Sequence, residues 1–212
     1  MKTDRLIEML STNVEPVERG QIGKAFAWAL VAGGVAAFWV MLASVGLRAD
    51  IGAHLGFLAI KLLFVLSLVG AGAAFLLKSI HPGQGAQKPF ALVFVPFLAV
   101  GAAAAVVALL PGRSAPWGVL TFGTQWATCL YCIPLFAVIP FAALIWALRN
   151  GAPTNLARTG AIAGLVAGAL GAAAYAFHCP DDSLPFVAVW YGASIALCAF
   201  IGAMLGPRLL RW

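Results

Sequence analysis

Charge is what this sequence has least of. Only 9% of its 212 residues are charged, seven of them acidic, against 63% that are hydrophobic and a mean hydropathy of +0.98. A soluble domain of this size cannot hide so much apolar surface inside one core, which excludes a water-soluble globule. Signatures of catalysis are missing too: there is no Walker A run, no H-E-x-x-H and no nucleophile elbow. No cluster of carboxylates falls inside an apolar stretch, which argues against a channel, pump or transporter. With three histidines in the chain, His54 and His81 stand singly at opposite interfaces, so a haem pair is unsupported.

What is present is one apolar run after another. Crossing about 30 Å of hydrocarbon takes a helix of roughly 20 residues. Stretches of that length predict six transmembrane helices at Ala25–Leu47, Leu55–Leu77, Phe90–Leu110, Trp126–Leu148, Thr159–Phe177 and Leu184–Leu205. The strands of a β-barrel would alternate polar and apolar residues, and these runs do not. The expected fold class is therefore all-α, a polytopic membrane protein. It would carry a cytoplasmic amphipathic tail over 1–24, a six-helix bundle over 25–206 and a short C-terminal tail over 207–212. The first run follows a polar segment with four acidic residues and is as long as the others, so it reads as a retained anchor rather than a cleaved signal.

Net charge is +6, but the cations sit in short tails and loops and form no single basic face, so direct nucleic-acid binding is not expected. They report topology instead. Lys2, Arg5, Arg19, Lys24, Lys78, Lys88, Arg149, Arg158, Arg208 and Arg211 fall on one side, and only Arg48 and Arg113 on the other. The positive-inside rule places both termini in the cytoplasm, in a bacterial inner membrane. Lys61 is the one cation inside a span; it lies near the outer end, where snorkelling outward explains it unless Asp181 or Asp182 pairs with it. Gly160, Gly164 and Gly168, with Gly202 and Gly206, offer small-residue stripes for close packing of spans five and six. Pro134 and Pro140 predict a kinked span four.

Four cysteines remain. Cys129 and Cys179 are predicted at the extracytoplasmic edge, where disulfides persist and where the two could meet. Cys132 and Cys198 read as small buried hydrophobes. Cys129 and Cys132 form a C-x-x-C, but inside an apolar helix it lacks both a thioredoxin-like setting and a second zinc-ligand pair. Around Cys179 the run His178-Cys179-Pro180-Asp181-Asp182-Ser183 gathers an imidazole, a thiol and two carboxylates, a set suited to soft or borderline metals. A plainer account has Pro180 making a turn and Asp182 or Ser183 capping span six. No resident cofactor is implied.

Residues 1–15 read as a short amphipathic helix stopped by Pro16, with Leu6, Ile7, Met9 and Leu10 on one face. An isolated helix this short is marginal in water, so its apolar stripe needs a partner groove or the membrane surface. Four acids balance its four cations, which favours a protein partner over the cationic pattern of surface helices.

Met1-Lys-Thr-Asp-Arg-Leu-Ile-Glu-Met-Leu10, Cys129-Leu-Tyr-Cys-Ile-Pro134, the His178 to Ser183 run, and Trp190-Tyr191 with Gly206-Pro207-Arg208 together resemble the negative regulator of sigma F family. The resemblance spans essentially the whole chain and is most specific around Cys179. It implies a six-span inner-membrane anti-sigma factor, not an enzyme, that holds an extracytoplasmic-function sigma factor and releases it under metal or oxidative stress. It further implies that Cys129 and Cys179 are the sensor thiols, with His178, Asp181 and Asp182 as neighbours and a metal ion as one signal, and that the tail residues Leu6, Ile7, Met9 and Leu10 contact the sigma factor. The rival enzyme reading is a quinone-linked thiol-disulfide oxidoreductase, which would need Cys132 and Cys198 as a second reactive pair.

Overall fold

The computed structural model describes residues 21–79, 87–109, 117–151 and 153–211, together with Thr3, Arg5, Ile7 and Ser11 of the tail. Six long apolar helices make up the molecule, and the described residues contain no strand. They are α1 (Gln21–Ser44), α2 (Leu55–Ser79), α3 (Val95–Leu109), α4 (Trp126–Arg149), α5 (Leu156–Ala176) and α6 (Leu184–Leu209). A 3-10 turn at Ile51–His54 leads into α2, and short helices at Gln87–Leu92 and Trp117–Phe122 precede α3 and α4. With α3 counted together with the short helix before it, from Phe90, each is long and apolar enough to cross a membrane, as the apolar runs predict.

Local chemistry sets several of the ends. Gly46 stops α1 at a φ of +75°, a left-handed conformation that glycine adopts without a Cβ penalty, and its N–H donates to Met41 O at 3.1 Å. Asn155 caps α5 by accepting from Arg158 N at 3.0 Å, and Ser183 caps α6 by accepting from Phe186 N at 3.2 Å. Of the two caps considered for the last span, the serine is the one used. Near its start α6 widens into a π turn over Val187–Tyr191, a departure from the regular helix expected there. Pro134 and Pro140 both lie inside α4, which continues through them.

α5 is the hub: it packs against α6, α4, α2 and α1, whereas α3 lies outermost against α2 and the start of α6. Of the apolar stretch of α5, 83% is buried inside the bundle, against 17% for α3. Glycine makes this closeness possible. A Cβ on Gly171 would stand 2.6 Å from the Ile133 carbonyl oxygen of α4, and one on Gly206 would stand 2.5 Å from the Leu156 carbonyl oxygen and 2.9 Å from Gly160 Cα. Gly160, Gly164 and Gly168 meet Gly202, Gly206 and Cys198 across the α5–α6 seam, as the spacing predicts. On the far side of the bundle, Gly33 of α1 admits Pro140 of α4, whose Cα would lie 2.9 Å from an added Cβ. Large apolar side chains such as Leu63, Leu98, Leu109, Phe200 and Met204 point outward, the arrangement expected of a bundle solvated by lipid.

Candidate functional site

The His178–Ser183 segment between α5 and α6 is the place where the bundle's polar chemistry converges, and it does so by sending each side chain to a different neighbour. His178 Nδ1 lies 3.1 Å from Gly46 O, at the end of α1. Asp181 turns toward the start of α4: its carboxylate accepts from Thr124 N at 2.9 Å, Thr124 Oγ1 at 3.1 Å and Gln125 N at 2.8 Å. This is the capping expected of an acid at a helix start, applied to α4 rather than to α6. Gly123 makes room for it, with φ +54° and space where a Cβ would lie 2.7 Å from Asp181 Cγ.

Asp182 faces the opposite way, into a cluster of cations. Lys61 Nζ donates to its Oδ1 at 2.8 Å, Arg48 Nη1 donates to its Oδ2 at 2.8 Å, and His54 Nδ1 lies 3.1 Å from Oδ2. Lys61, 1% exposed, and Arg48 each donate a second bond to the Cys179 carbonyl oxygen, at 3.0 and 3.3 Å. Burying an ammonium costs several kcal/mol, and these two acceptors are what offset it here. Lys61 is therefore paired with Asp182, the condition under which its charge carries more than snorkelling. Arg48 also holds Asp50 through Nε and Nη2, the latter at 3.0 Å. The bond to Asp50, reinforced by Asp182, raises Arg48 above its ordinary range, and the reciprocal bond holds the Asp50 carboxyl down at about 2.

The two thiols of interest lie under this cluster. Cys129, in the first turn of α4, and Cys179, three residues beyond α5, are both free and both fully buried. Cys129 N donates to Gln125 O at 2.9 Å and Gln125 N donates to Asp181, two residues beyond Cys179, so the two thiols belong to one neighbourhood. Ser194 Oγ of α6 donates to Cys129 O at 3.4 Å, while Cys179 N donates to Tyr175 O at 3.0 Å. Tyr175 and Tyr191, both fully buried with ring centroids 6.2 Å apart, wall the pair, and neither hydroxyl has a hydrogen-bond partner among the described residues. The Tyr191 hydroxyl lies beside the Cys179 thiol without reaching hydrogen-bond geometry. Burial pushes the Cys179 thiol up; the Lys61 ammonium and the Asp181 N–H work against that rise.

This geometry changes two expectations. Both thiols lie inside the protein rather than on an exposed edge. His178, Asp181 and Asp182 do not join them as ligands, and no group of three His, Cys, Asp or Glu side chains among the described residues is arranged to hold a metal ion. Cys132 is partly buried on α4, and Cys198 packs against Gly168 in the α5–α6 seam. Of the tail residues, Ile7 is helical and exposed, whereas Leu6, Met9 and Leu10 lie outside the described residues. By sequence, Arg48 reads only as a topology marker, His54 only as a lone interfacial histidine and Tyr191 only as part of the resemblance, and Tyr175 is not singled out.

The family model for the negative regulator of sigma F matches residues 10–212. A relative described as "Probable anti-sigma-F factor NrsF" from Azospira oryzae is 33% identical over 214 residues, covering 100% of both chains. The "Anti-sigma-F factor NrsF" of Caulobacter vibrioides is 29% identical over 214 residues, again covering 100% of both. No solved structure matches. These are regulatory proteins rather than enzymes, and over its whole length this chain belongs with them, in the negative regulator of sigma F family.

Proposed function

We propose that this protein is a multi-pass anti-sigma factor of the bacterial inner membrane. It would hold an extracytoplasmic-function sigma factor at the cytoplasmic face and release it when Cys129 and Cys179 react with a metal ion or an oxidant. The observation that carries the reading is the full-length similarity to two anti-sigma-F factors, in a chain that buries a thiol pair at one end of a six-helix bundle. Ten of the 13 basic residues favour an orientation with both termini, and with them the 1–24 tail, in the cytoplasm, and the thiol pair at the opposite end. The apolar tail residues Leu6, Ile7, Met9 and Leu10 are the proposed contact with the sigma factor.

Either signal chemistry fits two neighbouring thiols. Oxidation would join them as a disulfide, and soft metal ions prefer thiolate ligands. In both cases Cys129 would draw on α4 while Cys179 would draw on the segment that Asp181 and Asp182 fasten to α4, α2 and the α1–α2 loop. Output requires that the bundle have two arrangements whose balance the thiols shift. The quinone-linked oxidoreductase reading loses its ground because the family is regulatory and because Cys198 is buried and Cys132 partly buried, so the two do not form an exposed second pair.

The test is affinity purification of the protein from mild detergent extracts of its own bacterium, with mass spectrometry before and after a metal or oxidant pulse. A sigma factor bound before the pulse and lost after it supports the proposal. Absence of any sigma factor under both conditions overturns it.

A further inference from the structure

Lys61 is the least expected charge in the molecule. It sits two turns inside α2, essentially without exposure, and its ammonium bonds both the Cys179 carbonyl and the Asp182 carboxylate three residues further on. Cys179 therefore has a buried cation anchored to its own main chain, whereas the Cys129 main chain is held by an uncharged serine. We propose that Lys61 is a positioning residue for the thiol switch, and that its ammonium, restrained by Asp182, makes Cys179 rather than Cys129 the thiol that reacts with the signal. This rests on the reading of the two cysteines as sensors.

The physical argument is electrostatic. A thiol reacts as its thiolate, and a thiolate taken out of water is stabilised only by nearby positive charge and hydrogen-bond donors. Around Cys179 these are the Lys61 ammonium and the Asp181 N–H. The other charged or titratable groups around it are Arg48, Asp50, His54, Asp181 and Asp182 of the polar cluster and Cys129, Tyr175 and Tyr191 beneath it; the ammonium also reaches Cys129, but it is bonded to the Cys179 main chain. Asp182 partly neutralises both cations, so the ammonium acts at reduced strength while the carboxylate is present. Removing the lysine and removing the aspartate should then push Cys179 in opposite directions.

The experiment follows the rate at which methyl methanethiosulfonate, a small uncharged reagent, modifies each cysteine of the full chain in nanodiscs, read peptide by peptide by mass spectrometry. Lys61→Met is expected to slow Cys179 by about tenfold, the equivalent of one unit of thiol acidity, with a smaller change at Cys129. Lys61→Arg should restore the rate to within about threefold, on the same scale, and Asp182→Asn should raise it above wild type. A residue that merely braced the segment would give faster labelling in both Lys61→Met and Asp182→Asn, and that result overturns the proposal, as does equal labelling of Cys179 across the variants. Should Lys61→Met fail to accumulate in membranes, the pH profile of Asp182→Asn decides: a lower midpoint for Cys179 labelling supports the proposal, and an unchanged midpoint, whether or not labelling is faster, overturns it. Because the readout needs no sigma factor, it fails or succeeds separately from the anti-sigma reading.

Discussion

Lys61 and Asp182 meet at 2.8 Å across 121 residues of sequence, one from within a helix and the other from the loop that follows α5. Asp182 is the shared counter-ion of Lys61 and Arg48, whose side chains are 1% and 8% exposed. Removing it would strand two buried cations, which is costlier than losing the attraction itself. Asp182→Ala is expected to destabilise the bundle by about 3 kcal/mol, measured by denaturant unfolding in detergent micelles followed by helicity. A loss indistinguishable from that of an exposed alanine substitution would mean that the cations find other partners.

Asp181 performs a separate task at the adjacent position. Its bonds to Thr124 and Gln125 fasten the start of α4, and Asp181→Ala should cost about 1 kcal/mol, the usual worth of a cap. The loosening should be local, so hydrogen exchange at the amides of Thr124 and Gln125 should speed up more than exchange in the middle of α5. Uniform exchange would argue against a capping role.

The α5–α6 seam allows a comparison of glycines within one molecule. Gly164→Ala would drive a Cβ into the Cys198 and Gly202 backbone and is expected to cost about 2 kcal/mol by overpacking. Gly70→Ala and Gly101→Ala meet nothing within 4 Å and should be neutral or gain up to about 1 kcal/mol from helix propensity. Thermal unfolding of the three variants side by side checks the order.

Acid should weaken the Arg48–Asp50 contact in a defined window. The Asp50 carboxyl is held at about 2, below its ordinary 3.8, so its contribution is fully present above 3.8 and is lost as the pH falls through about 2. Asp50 is exposed and its pair is screened by solvent, so the effect is small. The stability difference between wild type and Asp50→Asn should be constant at neutral pH and close between pH 4 and 2. A difference that widened on acidification would contradict the pairing.

For the thiols the expectation is functional. Cys129→Ser and Cys179→Ser should each abolish induction of a sigma-dependent reporter by metal or oxidant while leaving membrane insertion intact. Normal induction in both single variants would remove the thiols from the mechanism.

The six helices were legible because crossing a bilayer demands one length of every span, and, apart from α3, which begins at Val95 rather than Phe90, each observed end falls within four residues of its expected place. The glycine seam was legible for the same reason, since helical spacing puts Gly160, Gly164 and Gly168 on one face wherever that face points. The site was legible in composition but not in wiring. Local sequence shows that His178, Asp181 and Asp182 are adjacent, and adjacency favours a single ligand set; the backbone instead aims them at α1, α4 and α2, which only the tertiary fold decides. Lys61 carried a signal as the lone cation in a span, yet its partner was one of two neighbouring aspartates that the sequence could not tell apart.

α5 is at once the most enclosed helix and the least hydrophobic, with a mean hydropathy of 1.5 where the others reach 2.0 to 2.6. A segment built so largely of glycine and alanine gains little from lipid on its own, so in a bilayer its entry would be helped by neighbours already there. α4 can receive it through Gly171, and α6 can close over it through the glycine seam. On this account the last three helices assemble as one unit during translation. The loop bearing Cys179 would take up its place over Lys61 only when that unit is complete.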